Sequence, residues 1–242
     1  MNAENDKSRA AEPFFAGAGA RVPVRAERHP AFYERVPMLR CFADTLHRCV
    51  RLQKHAYKKE GRFFVAEAGT YRGRGLLAMI ETAASIDIKV HVTGLDSFEG
   101  FPPLSDRDRS EAPADAKWVD KRIFADTTLR EVEAFLGPKL SDEYTLVKGF
   151  FNDSLPTLPE RKYAFVLIDC DLYSSHIDCM DYFYNRLLPG GAMFFDDYHS
   201  RHYPMAKSAI DDFMANKKER LFHLGFDATA ENSVKAYIIK SQ

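Results

Sequence analysis

The fold is decided by the stretch FFVAEAGTYRGRGLLAMIETAASI, residues 63–86 of the 242-residue chain. Its first part, FFVAEAG, is a short apolar run that stops at Gly69, and its last part, LLAMIETAASI, has the apolar spacing of a helix. The TYRGRG segment between them is rich in glycine, which permits tight turns. The stretch therefore predicts a β-strand, a glycine-rich turn and an α-helix in succession.

Further apolar runs extend this pattern along the chain. Four of them end in polar residues: HVTGLDSFEG (91–100), YTLVKGFF (144–151), YAFVLIDCD (163–171) and GGAMFFDDY (190–198). Runs that are apolar on both faces, joined by helix-like segments, are typical of a parallel sheet covered by helices. Two last runs, 221–226 and 234–240, flank a polar turn and predict an antiparallel pair. We expect an α/β fold with a mostly parallel seven-stranded sheet, helices on both faces and an antiparallel C-terminal strand pair.

The domain organisation is predicted from the position at which apolar residues begin to recur with helical or strand spacing. Residues 1–30 show neither a helical nor a strand period, which predicts a flexible N-terminal arm. Residues 31–242 are expected to form a single domain, in which helical spacing over 31–60 predicts a helical preface to the core. The segment 99–143 is longer than one crossover helix needs and begins with polar, proline-containing sequence, which predicts a lid.

Charge and composition exclude several classes of partner. Lys plus Arg number 34 against 35 for Asp plus Glu, so the formal charge is -1 and a field that would hold nucleic acid or an anionic membrane is not expected. No apolar run approaches the roughly 18 residues of a spanning helix. The first residues lack the pattern of a signal peptide, so we expect a cytoplasmic protein. The four cysteines, Cys41, Cys49, Cys170 and Cys179, lack CxxC spacing and are predicted to be reduced core residues.

The glycine turn and the next strand end predict a nucleoside site. The turn departs from GxGxxG, which weighs against a nicotinamide dinucleotide. Asp96 lies 27 residues past Gly69, at the position where an acid in nucleoside-binding α/β folds accepts hydrogen bonds from ribose hydroxyls. After the third strand, the aromatic side chains in Gly149–Phe151 either flank an adenine ring or pack in the core.

Acidic residues close the fourth and fifth predicted strands. Asp169 and Asp171 end one, Asp196 and Asp197 end the other, and parallel strands bring such ends to one edge of the sheet. Clustered carboxylates repel one another unless a cation neutralises them. Carboxylate ligands without imidazole or thiolate favour Mg²⁺. The alternative is that these acids cap the following helices, as Asp171 before LYSS would.

Five motifs occur in one order between Phe63 and Phe213: EAGTYRG, LDSFEGFPP, VKGFFNDSLP, LIDCDLYSS and LPGGAMFFDDY. In this order they resemble the class I S-adenosylmethionine-dependent, metal-dependent O-methyltransferases of the macrocin and mycinamicin type, which methylate sugar hydroxyls of natural products. The resemblance implies the Rossmann-like class I methyltransferase fold, S-adenosylmethionine as methyl donor, and Mg²⁺ on Asp169, Asp196 and Asp197. The residues that we expect at the donor are Glu67, Ala68, Gly69, Thr70, Gly73, Asp96, Ser97, Phe98, Gly149, Phe150, Phe151 and Asp169.

Methyl transfer to a hydroxyl needs a base, for which the sequence offers three candidates. Asp171 is the first, because side chains two residues apart on a strand point the same way and Asp169 is expected on the metal. His199 and His202 are the others, since imidazole titrates near neutrality, although loop histidines are often surface residues. Catechol-type relatives place a lysine three residues after the first metal aspartate, whereas this chain has Leu172 there.

The expected acceptor is a hydroxyl with a free neighbour, on a sugar carried by a natural product or other glycosylated metabolite, and we expect a homo-oligomer. Two alternatives stay open. One is an O-methyltransferase of a catechol-like or other small diol, and the other is a non-catalytic nucleoside-binding protein on the same fold.

Overall fold

The computed structural model describes residues 30–119, 122–225 and 234–242. The predicted arm, residues 1–30, lies outside the described residues except for Pro30. The polar turn between the last two predicted strands lies outside them as well. No helix within the described ranges is long and apolar enough to cross a membrane.

Within the described residues, seven strands form one sheet. They are β1 (Phe63–Ala68), β2 (Val90–Asp96), β3 (Tyr144–Lys148), β4 (Tyr163–Ile168), β5 (Leu187–Phe195), β6 (Leu221–Gly225) and β7 (Val234–Ile239). Their order across the sheet is β3-β2-β1-β4-β5-β7-β6. The first five strands run parallel, while β7 is antiparallel to both β5 and β6. This confirms the predicted fold class.

Helices connect the strands and cover the sheet. They are α1 (Pro30–Leu52), α2 (Lys54–Glu60), α3 (Arg74–Ser85), α4 (Asp106–Glu111), α5 (Leu129–Leu136), α6 (Phe151–Ser154), α7 (Tyr173–Tyr184) and α8 (Pro204–Met214). Two short 3₁₀ segments, Pro138–Leu140 and Leu155–Thr157, lie among them.

The core has two halves, one on each face of the sheet. On one face, Phe42 and Leu46 of α1 pack with Met79 of α3. On the other, Phe183 of α7 packs with Ile210 of α8. Every residue of β4 is buried because helices cover it from both sides. The strand order changes direction between β1 and β4, and in such sheets ligands bind beyond the carboxyl ends of the strands at that point.

Several element boundaries differ from the sequence predictions. The helical preface is two helices that break at Gln53, whose side-chain amide donates to the carbonyl of Pro189. β4 ends at Ile168 rather than residue 171, and β5 spans Leu187–Phe195 rather than 190–198. Both strands end where the apolar run gives way to acidic residues, at Asp169 after β4 and at Asp196 after β5. All four cysteines are buried and free, which confirms their prediction as reduced core residues.

The predicted lid contains two helices, α4 and α5. Its only tryptophan, Trp118, is buried, and its indole N–H donates to the carbonyl of His202 at 3.2 Å. The ring of Trp118 also contacts Tyr203, with the centroids 5.3 Å apart. These contacts attach the lid to the loop that follows β5.

Candidate active site

A cavity of about 590 Å³ opens at the carboxyl ends of the parallel strands. The residues that line it come from the turns after β1, β2, β3 and β4, from the first turns of the helices that follow β1, β3 and β4, and from the lid. Those predicted from the sequence are Gly69, Thr70, Asp96, Ser97, Gly149, Phe150, Phe151, Asp169 and Asp171. The structure therefore gathers most of the predicted donor residues around one cavity.

The glycine turn lies directly against the end of β4. Gly69 has a φ of 91°, and a Cβ atom there would lie 1.7 Å from the backbone oxygen of Asp169. A side chain is excluded both by this backbone conformation and by that contact. The turn after β1 is consequently held against the first of the clustered acids.

Asp96 shapes the turns on both sides of it. Its Oδ2 accepts a hydrogen bond from the N–H of Tyr71 and its Oδ1 accepts one from the N–H of Phe98, each at 2.7 Å. Burial raises the pKa of Asp96, and these two bonds oppose that shift. Each carboxylate oxygen has a second lone pair with which it can accept a bond from a ribose hydroxyl.

The other residues expected at the donor differ in their burial and in their contacts. Glu67 and Ala68 are buried in β1, and Gly73 is the N-cap of α3. The hydroxyl of Ser97 donates to the carbonyl of Gly100 at 2.7 Å. Phe98 is buried, belongs to the core cluster on the α1 and α3 face of the sheet, and does not line the cavity.

The acids of β4 and β5 meet as predicted. Asp169, Asp196 and Asp197 each place one carboxylate oxygen within 4.8 Å of the others. The N–H of Asp171 donates to Oδ2 of Asp197 at 3.1 Å, and Nζ of Lys235 donates to Oδ2 of Asp196 at 2.6 Å. Three carboxylates this close form a hard oxygen donor set, which fits Mg²⁺.

Burial and mutual repulsion raise the pKa values of the carboxylates in this cluster. Burial, followed by the charges of Asp197, Asp169 and Asp196, raises the pKa of Asp171 well above its ordinary value. Burial and then Asp196 raise the pKa of Asp197 to about 7, although Lys235 and the N–H of Asp171 oppose the shift.

Asp171 lies in the cavity wall, but not for the reason given by the sequence. Its φ is 61°, so it occupies a left-handed turn rather than a strand, and the argument from alternating strand side chains does not apply. The alternative role as a helix cap is also wrong. The N-cap position of α7 is Leu172, and the carboxylate that accepts from the first N–H of this helix belongs to Asp108.

The two candidate histidines lie elsewhere. His199 is exposed, with its Nε2 3.4 Å from Nδ1 of His223 on β6. His202 is exposed as well, and its backbone carbonyl accepts the Trp118 indole bond. Neither residue lines the cavity.

Other residues of the site were missed by the sequence analysis. Tyr71, Phe101 and Phe124 form an aromatic rim of the cavity, with Phe124 5.3 Å from Tyr71 and 5.5 Å from Phe101 between ring centroids. The aromatic residues of the lid sequence were a usable signal for this rim.

The fold is that of the class I methyltransferases. The solved structure of the O-methyltransferase NovP superposes with a TM-score of 0.63 at 20% identity, covering 86% of this chain and 81% of that one. Residues 43–228 match the family described as macrocin O-methyltransferase (TylF), and the chain belongs to this family.

Two curated relatives show the same likeness in sequence. The mycinamicin III 3''-O-methyltransferase of Micromonospora griseorubida is 28% identical over 153 residues, 62% of this chain and 59% of that protein. The 8-demethyl-8-(2,3-dimethoxy-alpha-L-rhamnosyl)-tetracenomycin-C 4'-O-methyltransferase of Streptomyces olivaceus is 31% identical over 144 residues, 55% of this chain and 52% of that protein. The matched stretch thus spans little more than half of each relative.

Proposed function

We propose that this protein is an S-adenosylmethionine- and Mg²⁺-dependent O-methyltransferase that acts on a sugar hydroxyl of a natural product or other glycosylated metabolite. Membership of the family supports the reaction class. The observation that carries the proposal is the contact between Gly69 and Asp169. It supports the proposal because the turn expected at the donor approaches the backbone of Asp169, whose carboxylate is expected at the metal, and methyl transfer needs donor and metal-bound acceptor to be neighbours.

The residues of the cavity fit the donor. Asp96 has acceptor capacity for ribose hydroxyls, and the rings of Phe150 and Phe151 line the same cavity at the end of β3. The turn at Gly69 allows the backbone to approach a ligand closely. These features support a nucleoside-containing donor.

The residues at the acid cluster would hold Mg²⁺ through the carboxylates of Asp169, Asp196 and Asp197. When both are bound, S-adenosylmethionine supplies an activated methyl group and Mg²⁺ supplies a Lewis acid that lowers the pKa of an acceptor hydroxyl.

The chain's own contribution to the chemistry is to remove a proton. Asp171 lines the cavity beside the acid cluster, and its carboxylate would accept the proton of the acceptor hydroxyl. Its N–H bond to Asp197 fixes the backbone of Asp171 relative to the cluster. His199 and His202 are less favoured as bases, because their side chains do not line the cavity.

The names of the relatives support a sugar as the acceptor. One is named for mycinamicin III and the other for a rhamnosyl tetracenomycin. The aromatic rim of Tyr71, Phe101 and Phe124 offers ring faces on which a large glycosylated molecule would pack. A homo-oligomeric state remains a prediction.

The proposal is tested by methyl transfer to two classes of acceptor. Purified protein with S-adenosylmethionine and Mg²⁺ is given a panel of glycosylated macrolides and rhamnosides, and in parallel a panel of catechols, with product mass as the readout. Methylation of the glycosides only is expected. Methylation of the catechols only would favour a small-diol enzyme, and donor binding without any product would favour a nucleoside-binding protein.

A further inference from the structure

A lysine from the last strand lies among the clustered acids. Lys235 is on β7, its side chain is only 9% exposed, and its Nζ lies 2.6 Å from Oδ2 of Asp196. The pairing of the strands explains this position. Phe195 of β5 pairs with Ala236 of the antiparallel β7, so the next step of the ladder brings Asp196 to Lys235.

The pairing has two physical effects on the acid cluster. The ammonium group occupies one oxygen of Asp196, which leaves the other oxygen free to face the remaining acids. Its positive charge also offsets one of the three negative charges that a cation would meet. Burial strengthens both effects, because a charge with little solvent around it is poorly screened.

We infer that Lys235 is a positioning residue of the metal site, which holds Asp196 in place before an ion binds and lowers the affinity of the three acids for a divalent cation. The inference rests on the proposed function, of which it specifies the metal site. Lys235 is not a ligand, since an ammonium group has no lone pair to give.

Three substitutions distinguish the effect of the positive charge of Lys235 from that of its hydrogen bond to Asp196. Lys235→Met removes both the charge and the hydrogen bond, Lys235→Gln removes the charge but keeps a donor, and Lys235→Arg keeps both. Lys218→Met is the matched control. This variant removes one positive charge from an exposed residue that precedes β6. The first residue of β6 pairs with Ile238, which lies at the opposite end of β7 from Lys235.

The measurement is metal affinity in protein stripped of metal. Mn²⁺ is titrated and followed by the electron paramagnetic resonance signal of the free ion, and Mg²⁺ is then added as a competitor. Lys235→Gln should bind Mn²⁺ and Mg²⁺ about tenfold more tightly or better than wild type. Lys235→Met should also bind them more tightly than wild type, but less tightly than Lys235→Gln, because it has lost the hydrogen bond that positions Asp196. Lys235→Arg and Lys218→Met should stay within about twofold of wild type.

Thermal unfolding in EDTA shows which variants are folded. If Lys235→Met does not fold, the metal affinity of Lys235→Gln decides the test. Unchanged or weaker affinity in the folded Met or Gln variant would overturn the role of Lys235 and leave the metal site standing. Absence of Mn²⁺ and Mg²⁺ binding in wild type and all variants would overturn both this inference and the metal part of the proposed function.

Discussion

The carboxylate of Asp108 accepts a 2.7 Å hydrogen bond from the backbone N–H of Tyr173, although the two residues lie 65 positions apart. Asp108 is fully buried in α4 of the lid, and Tyr173 begins α7 two residues after Asp171. The hydroxyl of Ser174 donates to the same carboxylate at 3.1 Å. The lid thus supplies the cap of the helix that follows the acid cluster, which frees Asp171 from that role.

Removal of this cap should loosen the lid. Asp108→Ala leaves the N–H of Tyr173 and the hydroxyl of Ser174 without their acceptor, and it also removes the bonds that the same carboxylate accepts from Ser105 at the start of α4. The free energy of unfolding should therefore fall by at least about 1–3 kcal/mol. Urea unfolding measures this loss. Trp118, the only tryptophan of the chain, reports on the lid itself, and its emission should shift to longer wavelength as it becomes exposed.

The matched control for Asp108→Ala is Asp106→Ala, which changes an exposed acid of the same helix. It should leave both the unfolding free energy and the tryptophan emission near their wild-type values. An Asp108→Ala protein with wild-type stability and emission would show that the bond to Tyr173 contributes nothing to lid closure.

Sequence patterns predicted the strands well, because a strand buried on both faces can be recognised from a short run of apolar residues. They failed where a residue's position depends on a distant partner. The left-handed turn at Asp171 accompanies a bond from its N–H to Asp197, 26 positions away. Lys235 reaches Asp196 only through the register of β7 on β5, and nothing in the sequence around it indicates that pairing. Asp108 likewise has no local sign of its bond to α7.

The donor site is tested at Asp96. The carboxylate of Asp96 accepts hydrogen bonds from two backbone N–H groups. In Asp96→Asn the amide has a single oxygen, so it can accept a bond from only one of them. S-adenosylhomocysteine should bind more weakly by about 1–3 kcal/mol, measured by titration calorimetry. Glu99→Gln, at an exposed acid beyond the same strand that pairs with Lys148, should bind as wild type does. Equal affinity in the two variants would remove Asp96 from the donor site.

The metal requirement is tested by chelation. EDTA should abolish turnover and added Mg²⁺ should restore it, while S-adenosylhomocysteine binding persists because Asp169 is the only residue expected at both the donor and the metal. Asp169→Asn, Asp196→Asn and Asp197→Asn should each raise the Mg²⁺ concentration needed for half-maximal turnover, since each removes a charged ligand. Asp178→Asn, which changes another acid of the cavity wall, is the control. Full activity in EDTA would exclude a metal role.

A buried histidine makes stability depend on pH. Burial lowers the pKa of His176 from 6.5 to about 4, although the carbonyl of Leu172 accepts a bond from its Nδ1. The unfolded chain therefore binds a proton between pH 6.5 and 4 that the folded protein does not, so stability falls as the pH falls through this window. The loss from this group should reach about 3 kcal/mol. His176→Asn should remove that part of the pH dependence in urea unfolding, whereas His47→Asn, at an exposed site, should keep it.

The identity of the base is tested by comparing Asp171 with the two histidines. Asp171 lines the cavity and its N–H bonds to Asp197, whereas His199 and His202 are exposed outside the cavity. Asp171→Asn keeps the size of the side chain and the backbone bond but removes the proton acceptor. Turnover at saturating Mg²⁺ should fall by about 10²–10⁴-fold, the usual contribution of a general base, while the affinity for S-adenosylhomocysteine stays close to wild type and the affinity for Mg²⁺ falls far less than turnover does. His199→Ala and His202→Ala should each cost far less. Near-normal turnover in Asp171→Asn, together with a large loss in either histidine variant, would transfer the role of base to that histidine and require its loop to move over the cavity during the reaction.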